Sequence, residues 1–372
     1  MVSNRAGLIA IIAAFLFGVL ASLAIRPTSS PMGEEAFGGR GTTGTPTSDI
    51  NWRVPLAFAT SIPGLGDNPV WLRDALDEAS GGSIRFKLFD PGEVVPAFSV
   101  SDAVRDNKVP AGYTWLGYDQ GKTSASTLVA AVPFGMEPVE FSAWWFEAGG
   151  RELGEALYEQ YHAKPIFCGI IGPETAGWFR EKIESLDDLE GMKIRFAGIG
   201  GKVMERLGAS VTMIPGGEIY QALEKGAIDA SEFSLPVVDQ ALGFNRIASF
   251  NYFPGWHQPA TASHLLVNLD VWANLSQQQQ RLIEVTCTAA VTRNLAKTES
   301  QQGAVINGFA DLGVSAQVLP EAVLRALQKV TQEVLEEEAA KDEMFRKILE
   351  SQQKFRREYA AWKTRAYLPR DF

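Results

Sequence analysis

Residues 192–214 read MKIRFAGIGGKVMERLGASVTMI, and their spacing decides the fold class. Residues 192–196 are a short strand preceded by Gly191, residues 200–207 carry the spacing of a helix, and residues 210–214 return to a strand. Residues 218–225 follow as another helix. Upstream the same rhythm holds. Residues 52–57 are strand-like, 69–79 are helical and closed by Gly81-Gly82, 84–89 alternate with period two up to Asp90-Pro91-Gly92, and 99–106 read as a helix. Downstream, 165–171 form an apolar run and 264–268 a strand. Ser276 is a good N-cap for a helix through about residue 304. A last strand at 314–319 leads through Pro320-Glu321 into a long helix to about residue 349. Strands alternating with helices give an α/β fold with helices on the sheet faces.

The 372 residues carry 34 Lys and Arg against 44 Asp and Glu, a formal charge of -10. Such a chain has material for two domains or one large discontinuous one. Its acidity argues against nucleic acid, which requires a basic surface. Two cysteines, Cys168 and Cys287, exclude a disulfide scaffold and any Cys-rich zinc site. They lie far apart in sequence, so free buried thiols are the expectation and a bridge is the alternative. Three histidines, His162, His257 and His264, leave little room for imidazole-based metal or base chemistry. The glycine-rich 197–203 segment is no dinucleotide fingerprint, because Val203 stands at the third-glycine position. It is no phosphate loop either, because no Ser or Thr follows Lys202. A nucleophile elbow and an H-E-x-x-H motif are also missing from the sequence, which favours a binding protein over an enzyme.

Residues 6–25 are an uncharged apolar run behind Asn4 and Arg5. About 20 apolar residues suffice to span a bilayer, whereas a signal-peptide core needs about 7–15. A cleaved signal ending near Ala21 or Ala24 and a retained membrane anchor both fit, and either exports the chain. Of the 24 residues 26–49, 16 are Gly, Pro, Ser or Thr, which makes this a flexible linker of about 25–30 Å span.

Four segments then carry a resemblance. They are GWFREKI at 177–183 running into SLDDLEGMKIR at 185–195, IPGGEIYQAL at 214–223, GAIDASEF at 226–233 and YFPGWHQP at 252–259, with PGEVVPA at 91–97 upstream. Together they resemble the solute receptors of tripartite ATP-independent periplasmic (TRAP) transporters, the DctP-like family, in its branch for 2-oxo acids and related monocarboxylates. The resemblance implies a bilobal periplasmic-binding-protein-like fold, two α/β lobes joined by hinge strands and a long helix. Lobe I would be 50–170 with 263–305, and lobe II 171–262 with 306–340. The C-terminal segment 341–372 would be a helix packed across both.

It also implies a site. Arg195 matches the family arginine that takes the substrate carboxylate, and a guanidinium fork suits two carboxylate oxygens. Glu232 matches a metal ligand, together with the carbonyl of the next residue, here Phe233 where the family has Trp. Glu174 and Gln258 reverse the family's Gln and Glu, as though one carboxylate had moved between sites. Tyr118 matches a ligand-bonding tyrosine. Trp178 and Trp256 would shape the pocket walls, and His257 would point away from its neighbour Gln258 as a structural residue.

The implied substrate set is Arg195, Glu174, Tyr118, Phe233, Trp178 and Gln258; the metal set is Glu232, Phe233, Gln258 and Glu174. Arg195, Glu174, Glu232 and a bound carboxylate sum to -2, which a closed cleft does not tolerate unpaired. That sum and the oxygen donors point to Na⁺ or Ca²⁺ without an organic cofactor. The implied partners are a small carboxylate and two integral-membrane subunits, with a dimer left open. The rival readings are a tethered ligand-sensing receptor and, further off, a hydrolase using Glu174 and Glu232 as acid and base.

Overall fold

The structure, a computed structural model, describes residues 49–368. The expected signal or anchor at 1–25 and nearly all of the 26–49 linker lie outside the described residues. Among the described residues no helix is long and apolar enough to cross a membrane.

Two α/β bodies are built from the predicted rhythm. In the first, β1 (Ile50–Pro55) and β2 (Ile84–Phe89) pair in parallel around the helix Asp67–Ala79. β10 (Thr261–Asn268) lies between β3 (Ala111–Trp115) and β4 (Ala163–Ile171), antiparallel to both. A bridge from Leu56 to Tyr113 joins β1 to β3. In the second body, β5 (Gly177–Phe179), β6 (Lys193–Arg195), β7 (Ser210–Thr212), β8 (Ala230–Ser231), β9 (Phe250–Phe253) and β11 (Ser315–Val318) form one sheet in the order β11-β9-β5-β8-β6-β7. Alternation explains β10, whose every residue is buried. Leu265 and Val267 face a core shared with Leu72, Ile283 and Cys287, whereas Leu266 faces the other, larger core.

The N-cap at Ser276 is as read: its hydroxyl accepts from Gln279 N, and the Gln279 side chain returns to the Ser276 backbone. The helix it starts, Gln277–Asn307, packs on β4, on Asp67–Ala79 and on the short helix Pro236–Ala241 of the second body. The last helix departs from expectation. It stops at Lys341, and Asp342 starts a second helix, Glu343–Ala366, by accepting from Met344 N and Phe345 N at 2.8 and 3.1 Å. A capping aspartate inside an otherwise helical run is the physical cause. The two helices are tied to different elements. Glu321–Lys341 is salt-bridged to the helix Gly198–Arg206 through Arg206–Glu337 and Lys202–Glu338. Glu343–Ala366 packs on Pro138–Glu147 and Gly150–Glu159 of the first body, with Trp144 Nε1 donating to Ser351 and Gln352 Nε2 to the Leu128 carbonyl.

The expectation of free thiols is overturned: Cys168 of β4 and Cys287 of the Gln277–Asn307 helix form a buried disulfide. Sequence distance hid the pairing, because strand and helix meet only once the sheet has formed.

His264, in the middle of β10, packs against Trp145 and Phe167 with ring centroids 5.0 and 5.7 Å away. Neither ring nitrogen has a hydrogen-bond partner, and burial pushes the imidazole down to about 3. The unfolded chain therefore takes up a proton below about pH 6.5 that the folded chain refuses. Proton linkage at His264 costs nothing above that pH and destabilises progressively down to about pH 3, by up to about 1.4 kcal/mol per pH unit. His264→Phe is expected to flatten the fall of the urea midpoint between about pH 6 and 4. An unchanged slope would show that this imidazole is not held neutral.

Candidate functional site

β6 and β8 run in parallel with Arg195 opposite Ser231, so Arg195 and the next residue, Glu232, meet at the C-terminal ends of both strands. Crevices outside such strand ends are where open α/β sheets bind ligands. Arg195 is 1 % exposed, and its Nη1 donates to Glu232 Oε2 at 2.8 Å and to the Glu232 carbonyl at 2.7 Å. Its Nε donates to the Ile214 carbonyl at 3.3 Å, and the guanidinium lies over the Phe233 ring at 5.1 Å. Phe233 thus gives the arginine an aromatic face.

The 254–259 turn supplies the next layer. Gly255 presses against the backbone of Glu174 so closely that a Cβ there would fall 2.0 Å from the Glu174 carbonyl oxygen. Gln258 Nε2 donates to Glu232 Oε1 at 3.2 Å. The Thr261 hydroxyl lies 2.8 Å from Glu174 Oε1 and 2.7 Å from Gln258 Oε1. One hydroxyl proton cannot serve two acceptors, so the geometry calls for a second proton on Glu174. Burial, with Glu232 nearby, pushes Glu174 up to about 7, which agrees. Burial also works against ionised Glu232, but Arg195 and His257 outweigh it and hold the carboxylate below its usual range.

His257 is a correction. Alternation in an extended segment would turn it away, but 254–259 is a turn, with Trp256 N bonded to the Pro254 carbonyl and Gln258 N to that of Gly255. Its Nε2 lies 3.2 Å from Glu232 Oε1 and 3.4 Å from Glu174 Oε2. Although burial disfavours the imidazolium, the two carboxylates raise it to about 9. His257 therefore enters the charge count: while Glu174 holds its proton, Arg195 and His257 against Glu232 leave +1, and a bound carboxylate brings the sum to 0 rather than -2.

These groups surround a cavity between the two bodies, lined on one side by Arg195, Ala197, Glu232, Phe233, Gln258 and Glu174. Tyr118, Trp115, Phe58, Leu65 and Thr261 line the other. Its empty volume of about 250 Å³ suits a small molecule. The structure thus brings together Arg195, Glu174, Tyr118, Phe233, Gln258 and Glu232. It does not bring Trp178, which lies in the core of the second body, donates to Asp239 at 2.8 Å and packs on Phe309. Trp256 is set back from the cavity against Phe134, Phe196 and His257. Phe58, Leu65, Trp115 and Thr261 carry no local signal in the sequence.

For a hard cation the donors fit. Glu174 Oε2 is buried without a hydrogen-bond partner, and carboxylate oxygens of Glu174 and Glu232 lie with His257 within 4.8 Å of one another. An acid–base pair fits poorly, because both Glu232 oxygens are already engaged by Arg195, Ala197 N and Gln258.

Comparison with known proteins agrees with this geometry. The family model for bacterial extracellular solute-binding protein, family 7 (DctP) matches residues 68–342. A monocarboxylate 2-oxoacid-binding periplasmic protein of Nostoc sp. PCC 7120 is 34% identical over 315 residues, covering 84% of this chain and 86% of that protein. A TRAP transporter solute-binding protein of Bordetella bronchiseptica RB50, with copurified calcium and picolinate, superposes with a TM-score of 0.83 at 30% identity, over 85% of this chain and 94% of that one. One from Pseudoalteromonas atlantica T6c, with sodium and pyruvate, gives 0.82 at 30% identity over 85% and 96%. With its two α/β bodies closing on a buried arginine, this chain belongs to the DctP family, the family-7 extracellular solute-binding proteins that serve TRAP transporters.

Proposed function

We propose that this chain is the solute receptor of a TRAP transporter and that its solute is a small 2-oxo acid or related monocarboxylate. The observation that carries this reading is Arg195, a buried guanidinium on the wall of a cavity that suits a small molecule. The ligands of the Nostoc, Bordetella and Pseudoalteromonas relatives support the same substrate class. We take 50–170 with 263–305 and 171–262 with 306–340 as the lobes that close on it; strand membership in the two sets of sheets supports that division.

Glu174, Gln258 and the Phe233 carbonyl, with Glu232 behind them, would hold a sodium or calcium ion. Such a cation supplies a fixed positive charge for the substrate oxygens. Arg195 orients the carboxylate, Phe233 supports the guanidinium, and Phe58 and Leu65 exclude water from the apolar end. Capture takes place in the periplasm, and the loaded receptor delivers its acid to two integral-membrane subunits. An uncleaved 6–25 segment, with the 26–49 linker as tether, would keep it near them.

A thermal-shift screen of carboxylates on the full chain tests the reading. A true ligand at one hundred times its Kd stabilises by about 2.7 kcal/mol. Pyruvate and its close homologues are expected to raise Tm, and exhaustive chelation followed by dialysis into buffer free of Na⁺ and Ca²⁺ is expected to weaken that rise. No response to any small carboxylate would refute the receptor reading; a rise indifferent to cations would remove only the metal.

A further inference from the structure

Trp115 closes β3 and is 4 % exposed, yet its indole N–H is buried with no acceptor. An unmade bond of this kind costs about 1–3 kcal/mol, and orphans are rare enough in folded proteins to need a cause. The ring has little freedom to turn toward one. It stands edge-on to Tyr118 at 5.1 Å, and a Cβ on Gly117 would fall 2.2 Å from its Cη2. Across the cavity, a Cβ on Gly198 would lie 3.4 Å from the same carbon, so the benzo edge rests on the first turn of the Gly198–Arg206 helix. The glycine-rich 197–203 turn therefore gives Trp115 a seat rather than binding a phosphate.

Indole only donates, so its missing partner is an acceptor. Of the cavity's own acceptors, Glu232 is bound to Arg195 and Gln258, and Gln258 and Glu174 Oε1 to Thr261, while Glu174 Oε2 faces the His257 imidazole. We propose that the Trp115 N–H binds the ligand, donating to a carboxylate oxygen of the acid that Arg195 takes from the other body. This rests on the receptor reading above. A carboxylate offers about four lone-pair sites; with its Nε and Nη1 held by Ile214 and Glu232, Arg195 has only Nη2 left to fill them, and the remaining sites suit neutral donors such as Trp115 and the Tyr118 hydroxyl. The acid is then gripped from both bodies, and the indole finds its partner only when ligand is present.

The test uses the full chain with ¹⁵N-labelled tryptophan and pyruvate as probe. Of the nine tryptophans, the indole signal lost in Trp115→Phe identifies residue 115. Pyruvate is expected to move that signal downfield, and Trp115→Phe is expected to weaken pyruvate and L-lactate about tenfold alike. A variant carrying 3-benzothienylalanine at 115, which keeps the ring shape with sulfur in place of N–H, is expected to lose the same factor, so lost packing is not the cause. An unmoved signal while calorimetry records pyruvate binding, or an unchanged Kd in the benzothienyl variant, overturns the inference and leaves the receptor standing. Loss for pyruvate alone moves the donor to the 2-oxo oxygen and overturns the carboxylate assignment. Wild-type protein that binds no acid overturns the receptor reading itself.

Discussion

Arg195→Met is expected to cost about 3–5 kcal/mol of folding stability and to remove carboxylate binding altogether. The two losses have different origins. Stability falls because Glu232 is 0 % exposed and ionised, and methionine leaves it with His257 as its remaining charged partner. Binding falls because no other cavity-lining residue carries a guanidinium. Adding Glu232→Gln should restore much of the stability, since both charges are then gone, without restoring any binding. Arg195→Lys keeps the charge but not the fork, and should lose about 1.5–3 kcal/mol of affinity with a milder effect on folding. Urea unfolding of the three variants beside calorimetry with pyruvate separates the effects. A single methionine variant as stable as wild type would mean that the Arg195–Glu232 pair is solvated in solution.

Replacing both Cys168 and Cys287 by alanine should lower stability by about 2–5 kcal/mol. The bridge closes a loop of 119 residues, long enough for the chain-entropy account to put the gain near the upper end, about 4.7 kcal/mol for a 100-residue loop. It also ties β4 to the Gln277–Asn307 helix, inside the core that holds Leu265 and Ile283. The check is the guanidinium midpoint of the double variant against the oxidised wild type. A difference below about 1 kcal/mol would show that packing alone holds strand and helix together.

The alternation of strand and helix was legible wherever one element had one buried face. The 84–89 strand belongs to this class, and the Ser276 cap was legible from its own residue types. β3, with all five residues buried, carries no alternation and went unread, as did the Pro138–Glu147 helix, whose Trp144 and Trp145 sit on adjacent positions. Of the site, sequence resemblance reached Arg195, Glu232, Phe233, Glu174, Gln258 and Tyr118, residues next to recognisable motifs. His257 was misread because a turn was treated as extended. Trp178 was misplaced because nearness in sequence to a motif says nothing about which face of a short strand a side chain takes. Thr261, Phe58 and Leu65 reach the cavity through tertiary packing and leave no local pattern.

The break at Asp342 has a mechanical consequence. One non-helical residue separates two long helices, the first bolted to the Gly198–Arg206 helix and the second to Trp144 and the Leu128 carbonyl. Any rotation of one body against the other must bend the chain at this joint, and each helix is a rigid lever that magnifies the angle. Spin labels on the two helices, at Arg325 and Arg357, would then report any opening of the cleft as a change in the distance between them.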